Sequence, residues 1–496
     1  MTDILERETR TLSGAFDEDL ELLRGIFQCD ATFRVREFRS GMGNRCALLY
    51  LDGMVNTQLM NLSIVRPLML AESVKNETGD LADVILQSVL FSNDVKSTAK
   101  LQDLLRGILY GDSALLIEGA STGLVMNTKG WRTRGVSEPK NETVLQGPRE
   151  GFDEAAMLNL AQLRRKLLTP DLCIELQRMG RRTDTMVFIC YLGSLADPEL
   201  VRRVKKKLSE IDIDGVLDSN YINEMIRDRK YSIFKTCGST ERPDVVASKL
   251  LEGRVAIMVD GSPAVITVPY LFSENFQSDE DYYLNFWIAS VGRFLRYVCF
   301  FLTISVPAFY LAFLVYHQRL LPTFFLLSAA QARSGVPFSS LVECLALILI
   351  LEILKETGAR MPQNLGHTLS IVGGLVVGQA AVEAKLVSAP MLIAVAVSGI
   401  AGLMIPHLRA AVFYLRLMMV FFAATLGLLG CFVGLTFILI RILSISSFGV
   451  SYTRSLETPT VQGLKDTAVR LPWGWMKTRP SFNQNRHRQG EKHENQ

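Results

Sequence analysis

The sequence lacks the short motifs that mark many enzyme and nucleotide-binding sites. It has no GxGxxG, GxxxxGK[ST] or HExxH pattern and only five histidines in 496 residues. Such patterns supply phosphate-binding loops and zinc ligands. No pairing of a nucleophile with a base can be named from the residues either. We therefore expect a protein that is not an enzyme and that uses no cofactor and no bound metal.

Cysteine clusters and a signal sequence are also missing. The eight cysteines are scattered, with no CxxC spacing and no Cys/His pairing. That distribution suits a reducing compartment and argues against a disulfide scaffold and a zinc site. The first residues, MTDILERETRTLSGAFDEDLELL, are acidic and polar, without the apolar core of a signal peptide. We expect the N-terminal half to remain in the cytoplasm.

Charge is nearly absent from three long stretches of the C-terminal half. Tyr297–Tyr316, Val387–Pro406 and Leu417–Ile440 are apolar over about 20 residues each, the length that crosses a bilayer core. The tail after Ile440 is basic, so the positive-inside rule places it in the cytoplasm too. With both ends inside, the number of crossings must be even, and we predict four.

Between Leu321 and Glu383 the apolar pattern is broken by glycine, proline and polar residues. Glu343 and Glu352 lie inside a short apolar stretch of this region. Irregular segments of this kind are tolerated at membrane depth only where they are buried in protein or line a cavity. We predict one or two short or re-entrant segments here, with both glutamates as intramembrane polar residues.

The segment LSIVGGLVVGQAAVE combines apolar residues with glycine, glutamine and glutamate. On a helix, one stripe would contain Val372, Leu375, Gln379 and Glu383, because three- and four-residue steps return to the same face. Polar groups at membrane depth usually face a bundle interior or a water-filled path. We predict a pore-lining stripe; the alternative is a packed helix whose Gln and Glu bond to neighbouring helices. Small residues would allow close helix packing at Gly373, Gly374 and Gly378.

The N-terminal half contains a faint internal duplication. Asn56 recurs as Asp197 at a shift of 141, each as a small polar residue suited to start a helix after a strand and a turn. Gly111 recurs as Gly253 at a shift of 142. The nearly constant offset predicts two α/β subdomains of similar plan. A basic run on a helix, Arg202–Lys207, has no aromatic residues interleaved and is interpreted as a solvated face, so no nucleic-acid partner is expected.

The predicted fold is an α/β cytoplasmic domain of two subdomains followed by an α-helical multispanning membrane domain. Just before the first span, Trp287 fits an interfacial belt, and Arg293 and Arg296 fit cytoplasmic anchoring. We predict that these three residues couple the two parts. The predicted regions are a polar N-terminal segment (1–29), subdomain 1 (30–145), subdomain 2 (146–280), a transmembrane domain (281–445) and a basic tail (446–496).

Five motifs in order resemble the A subunits of GerA-type spore germinant receptors. They are SEPKNETVLQGPREGF, STERPDVVASKLLEGRVAIMVDGSP, GVPF, VGGLVVGQAAVEAKLVS and SFGVSY. The resemblance implies a multi-pass protein of the spore inner membrane with a large cytoplasmic N-terminal domain. It also implies a transporter-like, nutrient-binding B subunit and a lipoprotein C subunit as partners. The chain itself would form a homo-oligomeric ring that is surrounded by membrane lipid and conducts monovalent cations. A secondary transporter and a SpoVAF-like accessory channel, from a related sporulation protein, remain the alternatives.

Overall fold

The computed structural model describes residues 10–71, 80–92, 94–130, 146–229, 231–360, 376, 378–454, 466–476 and 479. These residues fall into two compact units. The sheet unit comprises the described residues within Met1–Lys230, Cys237–Pro269 and Arg479–His487. The helical unit comprises those within Tyr231–Thr236 and Tyr270–Thr478.

The described part of the sheet unit contains two five-stranded antiparallel sheets built to one plan. The first sheet consists of β1 (Phe33–Arg39), β2 (Arg45–Leu51), β3 (Val95–Thr98), β4 (Ser113–Ile117) and β5 (Gly123–Met126), in the order β1-β2-β4-β5-β3. The second consists of β6 (Leu172–Met179), β7 (Thr185–Leu192), β8 (Gly238–Thr240), β9 (Val255–Val259) and β10 (Val265–Val268), in the order β6-β7-β9-β10-β8. The matching order confirms the internal duplication.

Helices pack against both sheets. Those of the first subdomain are α1 (Phe16–Ile26), α2 (Thr57–Met60), which a π turn joins to α3 (Arg66–Leu70), α4 (Leu81–Ser88) and α5 (Leu101–Leu109). Those of the second are α6 (Ala156–Lys166), α7 (Pro198–Ser209), α8 (Ser219–Ile226) and α9 (Pro243–Leu251). Strands β4 and β9 are buried at every residue. Since successive side chains point to opposite faces, both faces of each sheet are covered at these strands.

The duplicated landmarks have the same structural roles in the two subdomains. Asn56 caps α2, because its side chain accepts hydrogen bonds of 3.1 Å from the backbone N–H groups of residues 58 and 59. Asp197 caps α7 and accepts a 3.0 Å hydrogen bond from the N–H of residue 199. Gly111 and Gly253 both turn the chain with positive φ, at 90° and 86°. The two recurring positions are therefore a helix cap and a turn glycine in both subdomains.

Replacing either Asn56 or Asp197 with alanine is expected to lower the free energy of unfolding by about 0.5–2 kcal/mol. Each substitution leaves helix N–H groups without their side-chain acceptor. Thermal unfolding of the purified protein measures the effect. Asp212→Ala is the control, because this side chain is 63% exposed in a surface ion pair with Arg181. Equal unfolding temperatures for all three variants would contradict the capping role.

The helical unit contains five longer helices in its described residues. They are α10 (Phe286–Val315), α11 (Thr323–Arg333), α12 (Ser340–Arg360), α13 (Ala389–Leu403) and α14 (Arg409–Leu443). A short helical stretch covers 378–383, and a two-stranded hairpin pairs β11 (Ser446–Ser447) with β12 (Val450–Ser451). Among the described residues, two stretches are long and apolar enough to cross a membrane by length and composition alone, Phe286–Val315 and Pro406–Leu443.

Helix α14 reverses direction near its middle. Gly427 has φ 61° and ψ −134°, which is not a helical conformation. The rings of Phe422 and Phe437 lie 6.4 Å apart, although 15 residues of straight helix would separate them by about 22 Å. A methyl group on Gly430 would lie 1.9 Å from the carbonyl oxygen of Phe422, so the two halves pack closely. The prediction of one continuous span over Leu417–Ile440 is corrected to two antiparallel helices.

Of the other two predicted spans, one coincides with a long helix and the other contains only a short one. Tyr297–Tyr316 lies within α10, apart from its last residue, which caps the helix. The predicted span Val387–Pro406 contains only the 15 residues of α13. At about 1.5 Å per residue this helix is shorter than a bilayer core of about 30 Å. The number of crossings stays a prediction.

Candidate functional site

A buried charge network lies where α10 begins, and we call it the junction network. Its centre is Asp281, which is 1% exposed. Oδ2 of Asp281 accepts hydrogen bonds from Nε of Arg293 at 2.9 Å and from Nη1 of Arg296 at 2.8 Å. Arg296 donates a second bond to Oδ1 at 3.0 Å. Two of the three residues predicted to couple the parts of the protein therefore share one carboxylate.

The C-terminal segment completes the junction network. Asp466 accepts a 2.7 Å hydrogen bond from Nη1 of Arg293, and its other carboxylate oxygen accepts a 3.0 Å bond from the hydroxyl of Tyr282. Arg470 donates to the carbonyl oxygen of Leu284 at 2.7 Å. Burial, together with the nearby Arg293, lowers the pKa of Arg470. The segments before and after the helical bundle are thus joined through charged groups.

Trp287, the third predicted coupling residue, lies outside this network. Its side chain is 69% exposed, and its backbone N–H donates to the capping side chain of Asn285 at 3.1 Å. Its indole ring packs beside Phe286, with ring centroids 5.0 Å apart. Both the interfacial position of Trp287 and coupling through it stay predictions.

The SFGVSY motif forms a hairpin that joins distant segments of the helical unit. Phe448 and Gly449, with φ 52° and 80°, make its turn. The hydroxyl of Ser447 donates to the carbonyl oxygen of Thr236 at 2.6 Å and accepts from the N–H of Tyr270 at 3.1 Å. The fully buried Tyr452 follows the hairpin. Ser447 therefore holds the segments of Thr236 and Tyr270 against the hairpin, and we call these contacts the clasp.

Tyr452 lies in an aromatic cluster beside the junction network. Burial raises the pKa of this tyrosine, which stays neutral and accepts a 3.0 Å hydrogen bond from the Asn275 amide. The cluster also contains Phe234, Phe272, Phe276, Tyr297 and Phe300. Aromatic contacts of this kind add specific edge and stacking geometry to apolar burial. They fix the start of α10 against the hairpin.

Glu343 is buried inside the helical unit, in the first turn of α12. Its Oε1 accepts hydrogen bonds from the backbone N–H of Ser388 at 2.6 Å and from its hydroxyl at 2.5 Å. Ser388 precedes α13, so the carboxylate caps that helix at its positive end. Oε2 has no hydrogen-bond partner in the part of the chain described and lies 4.0 Å from Nε of Arg333.

Glu352, the second predicted polar residue, belongs to a separate seam. Its carboxylate lies 3.4 Å from Nη2 of Arg416 and 3.8 Å from Nζ of Lys355. Arg416 is 1% exposed and lies 3.3 Å from the hydroxyl of Ser398, which donates to the carbonyl oxygen of Thr303 at 2.7 Å. The seam links α10, α12, α13 and α14 through polar groups inside the helical unit.

Part of the predicted pore-lining stripe is described. Gln379 donates a 2.9 Å hydrogen bond to Glu383 one turn later, and both side chains are exposed. On the other side of this short helix, Ala381 and Val382 pack against the core of the helical unit. A methyl group on Gly378 would lie 3.5 Å from the side chain of Leu392 in α13, an ordinary contact distance, so close packing at this glycine stays a prediction. The remaining predicted residues lie outside the described ones: Val372, Gly373, Gly374 and Leu375.

Several residues that organise these sites were missed at the sequence level. Asp281 and Asp466 lie in polar segments where no local pattern separates them from other surface acids. Arg416 did offer a signal, since one arginine among apolar helical residues usually has a buried partner. Ser388 gave none, because its role depends on the position of Glu343 in another helix.

The sequence contains one GxSxG pattern, GASTG at 119–123, but its geometry does not fit a nucleophile. It lies in the connection between β4 and β5 and not at a strand-to-helix elbow. The hydroxyl of Ser121 donates to Asp80 at 2.6 Å, and no histidine lies in the sheet unit's described residues. The described part of the chain also holds no cluster of three or more metal-ligating side chains.

Comparison with known proteins places these features in a family. The model of the Bacillus/Clostridium GerA spore germination protein matches residues 21–482. The chain is 37% identical over 450 residues to Spore germination protein KA of Bacillus subtilis (strain 168), covering 90% of this chain and 82% of that protein. It is 35% identical over 480 residues to Uncharacterized membrane protein YfkQ of the same organism, covering 96% and 93%.

Two further matches extend the comparison. Spore germination protein GerLA of Bacillus cereus is 32% identical over 474 residues, covering 95% of this chain and 96% of that protein. The crystal structure of the N-terminal domain of the A subunit of the Bacillus megaterium spore germinant receptor GerK3 is 30% identical and covers 53% of this chain and 98% of its own, with a TM-score of 0.41. Because the family model matches nearly its whole length, the chain belongs to the GerA family of spore germination proteins.

Proposed function

We propose that this protein is the A subunit of a nutrient-responsive spore germinant receptor and that its copies form a ring conducting monovalent cations. Relatives named as spore germination proteins, KA and GerLA among them, cover most of the chain and support the receptor role. The partners would be a nutrient-binding B subunit and a lipoprotein C subunit. The protein would lie in the spore inner membrane, with its sheet unit in the cytoplasm.

The distribution of side chains in the helical unit supports a membrane location. Large apolar residues lie on the exposed sides of α13 and α14, among them Ile400, Leu403 and Phe421, each more than 60% exposed. Charged groups such as Glu343 and Arg416 are instead buried. This arrangement is the reverse of a water-soluble helical domain and is favourable where the surroundings are hydrocarbon.

The observation that carries the channel proposal is the exposed pair Gln379 and Glu383. A glutamate facing lipid would be costly, so in a membrane this face must lie against another subunit or a water-filled path. The opposite face of the same helix is already packed inside the subunit. A ring would place one such pair from each copy around its axis, where carboxylates attract cations.

The proposed gate is Leu375, which lies four residues before Gln379 in the sequence and would share its stripe on a helix. A ring of leucines is too apolar for hydrated ions when closed, so Leu375→Ala should widen and wet the constriction. We expect cation release and germination without nutrient, whereas Leu375→Phe should impede the nutrient response. Cation efflux from purified spores and immunoblots of the protein measure both outcomes.

The matched control for the gate is Leu386→Ala, since Leu386 is 48% exposed and follows the same short helix. It should leave both efflux and protein level unchanged. If Leu375 is an ordinary core residue, its truncation costs about 2–5 kcal/mol. The protein would then be depleted and the response lost, which is the opposite sign and would refute the gate.

A secondary transporter is the second candidate, because short and interrupted helices such as α13 also build transporter sites. Copy number distinguishes the two. A detergent-solubilised ring of identical subunits supports the channel, and a monomer with saturable uptake supports the transporter. A SpoVAF-like accessory channel would form the ring but amplify germination without responding to nutrient itself.

A further inference from the structure

Two cysteines from different subdomains meet inside the sheet unit. Cys29 lies in the turn between α1 and β1, and Cys173 is the second residue of β6. Two backbone hydrogen bonds join their segments. The N–H of Ala31 donates to the carbonyl oxygen of Ile174 at 2.7 Å, and the N–H of Ile174 donates to the carbonyl oxygen of Cys29 at 2.9 Å. The register therefore places the two cysteines side by side.

A buried ion pair fixes the same contact. Arg164 of α6 bonds to Asp30, and both side chains are 2% exposed. Arg164 also donates to the carbonyl oxygen of Thr169 at 3.0 Å. The turn that carries Cys29 is thus held against the second subdomain at Cys29 and at the two residues that follow it, by backbone pairing and by charge. The position of the thiols does not depend on a mobile surface contact.

The two thiols are close enough to react with each other and differ in access to solvent. Their Sγ atoms lie 2.6 Å apart, and a disulfide bond is about 2.05 Å long. Among the eight cysteines, all of which the structure describes, Cys29 alone is exposed. An exposed thiol beside a buried one is the arrangement of an oxidisable cysteine with its resolving partner.

We propose that Cys29 and Cys173 are a reversible oxidation site that fastens the two subdomains covalently. The oxidant is a peroxide. The Cys29 thiolate attacks one peroxide oxygen, the O–O bond breaks, and a sulfenic acid and water form. The Cys173 sulfur then attacks the Cys29 sulfur, the S–O bond breaks, and a second water leaves with the Cys173 proton. Two thiols are oxidised to one disulfide while one hydrogen peroxide is reduced to two waters.

The order of these steps follows from the surroundings. Burial, and then the neighbouring Cys29, raises the pKa of Cys173, so this thiol is a poor first nucleophile toward a solvent oxidant. Burial also raises the pKa of Cys46 to about 11 and that of Cys190 to about 12. Those thiols should stay reduced under the same treatment. A dithiol reductant would reverse the bond by exchange at the exposed Cys29 sulfur.

The test uses the full-length protein in detergent. It is treated with hydrogen peroxide, blocked with N-ethylmaleimide, digested without reductant and analysed by mass spectrometry. We expect a peptide pair joined through Cys29 and Cys173 that dithiothreitol separates. Cys190→Ser, a matched buried control, should retain the pair, and Cys29→Ser should lose it.

Thermal unfolding gives an independent readout. The oxidised protein should unfold at a higher temperature than the reduced protein, because the bond closes a long loop in the unfolded chain. Cys29→Ser should unfold like the reduced protein under both conditions, which also shows that it folds. Oxidation of Cys29 to sulfinic acid without a joined peptide, or pairing of Cys29 between two copies, would overturn the proposal.

Discussion

Asp281→Asn is expected to destabilise the helical unit severely, by about 3–5 kcal/mol. The substitution keeps the size of the side chain but removes the charge that Arg293 and Arg296 share. Arg293 is fully buried, so it cannot recover its lost interaction by turning toward water. We expect a large fall in the amount of protein in the membrane and in its unfolding temperature in detergent.

Glu356→Gln is the control for this prediction. Glu356 also meets arginines, Arg360 and Arg409, but its side chain is 57% exposed. Exposed ion pairs contribute about 0–1 kcal/mol, so this variant should accumulate normally. If the two variants unfold at the same temperature, the junction network does not stabilise the start of α10 and its role has to be reconsidered.

Gly427→Ala is expected to have the second large effect. Gly427 adopts a conformation open only to glycine, and a methyl group there would lie 2.9 Å from Cβ and Cγ of Tyr316 and 3.0 Å from His317. The backbone strain costs about 1–3 kcal/mol and the steric overlap about as much again. Tyr316 also donates a hydrogen bond to the carbonyl oxygen of Ala424, which the overlap would disturb. Loss of protein and protease cleavage near the turn measure the effect.

Gly292→Ala is the matched glycine control. Gly292 lies within α10, and a methyl group there would be 3.8 Å from the guanidinium of Arg296, an ordinary contact. Alanine is favoured over glycine inside helices by about 0.5–1 kcal/mol, so stability should stay level or rise. A similar loss for both variants would show that the helical unit is sensitive to any added methyl, and the argument for a reversal at Gly427 would fail.

The fold was predictable wherever the sequence records a local requirement. Asn56 and Asp197 were each suited to start a helix, and Gly111 recurred as Gly253 at nearly the same offset, so the duplicated plan could be recognised before any strand order was known. Gly427 could not be read in the same way. Glycine is common in membrane helices, and the reversal shows only in the structure, in the backbone of Gly427 and in the contact between Phe422 and Phe437.

The charged residues of the candidate site could be recognised in the sequence, but the groups that they bind could not. Arg293 and Arg296 stand out beside an apolar run. Which acid they share depends on the three-dimensional path of the chain, and it is Asp281. Asp466, which also binds Arg293, lies 173 residues away in sequence. Glu343 and Glu352 were both recognised as unusual, yet one caps a helix and the other pairs with an arginine. Those roles depend on which helices become neighbours.

The clasp at Ser447 also determines when, during synthesis, the helical unit can finish folding. Its hydroxyl joins Thr236 and Tyr270, which are separated from it by 211 and 177 residues. A ribosome therefore releases residues 270–285 long before the partners of that segment exist, and the chain must wait until the last helix has emerged. A product that stops short of residue 447 lacks Asp466, which binds Arg293, and the Ser447 hydroxyl, which accepts a hydrogen bond from the backbone N–H of Tyr270. The contacts that close the helical unit therefore form only after residues 447–466 have been made.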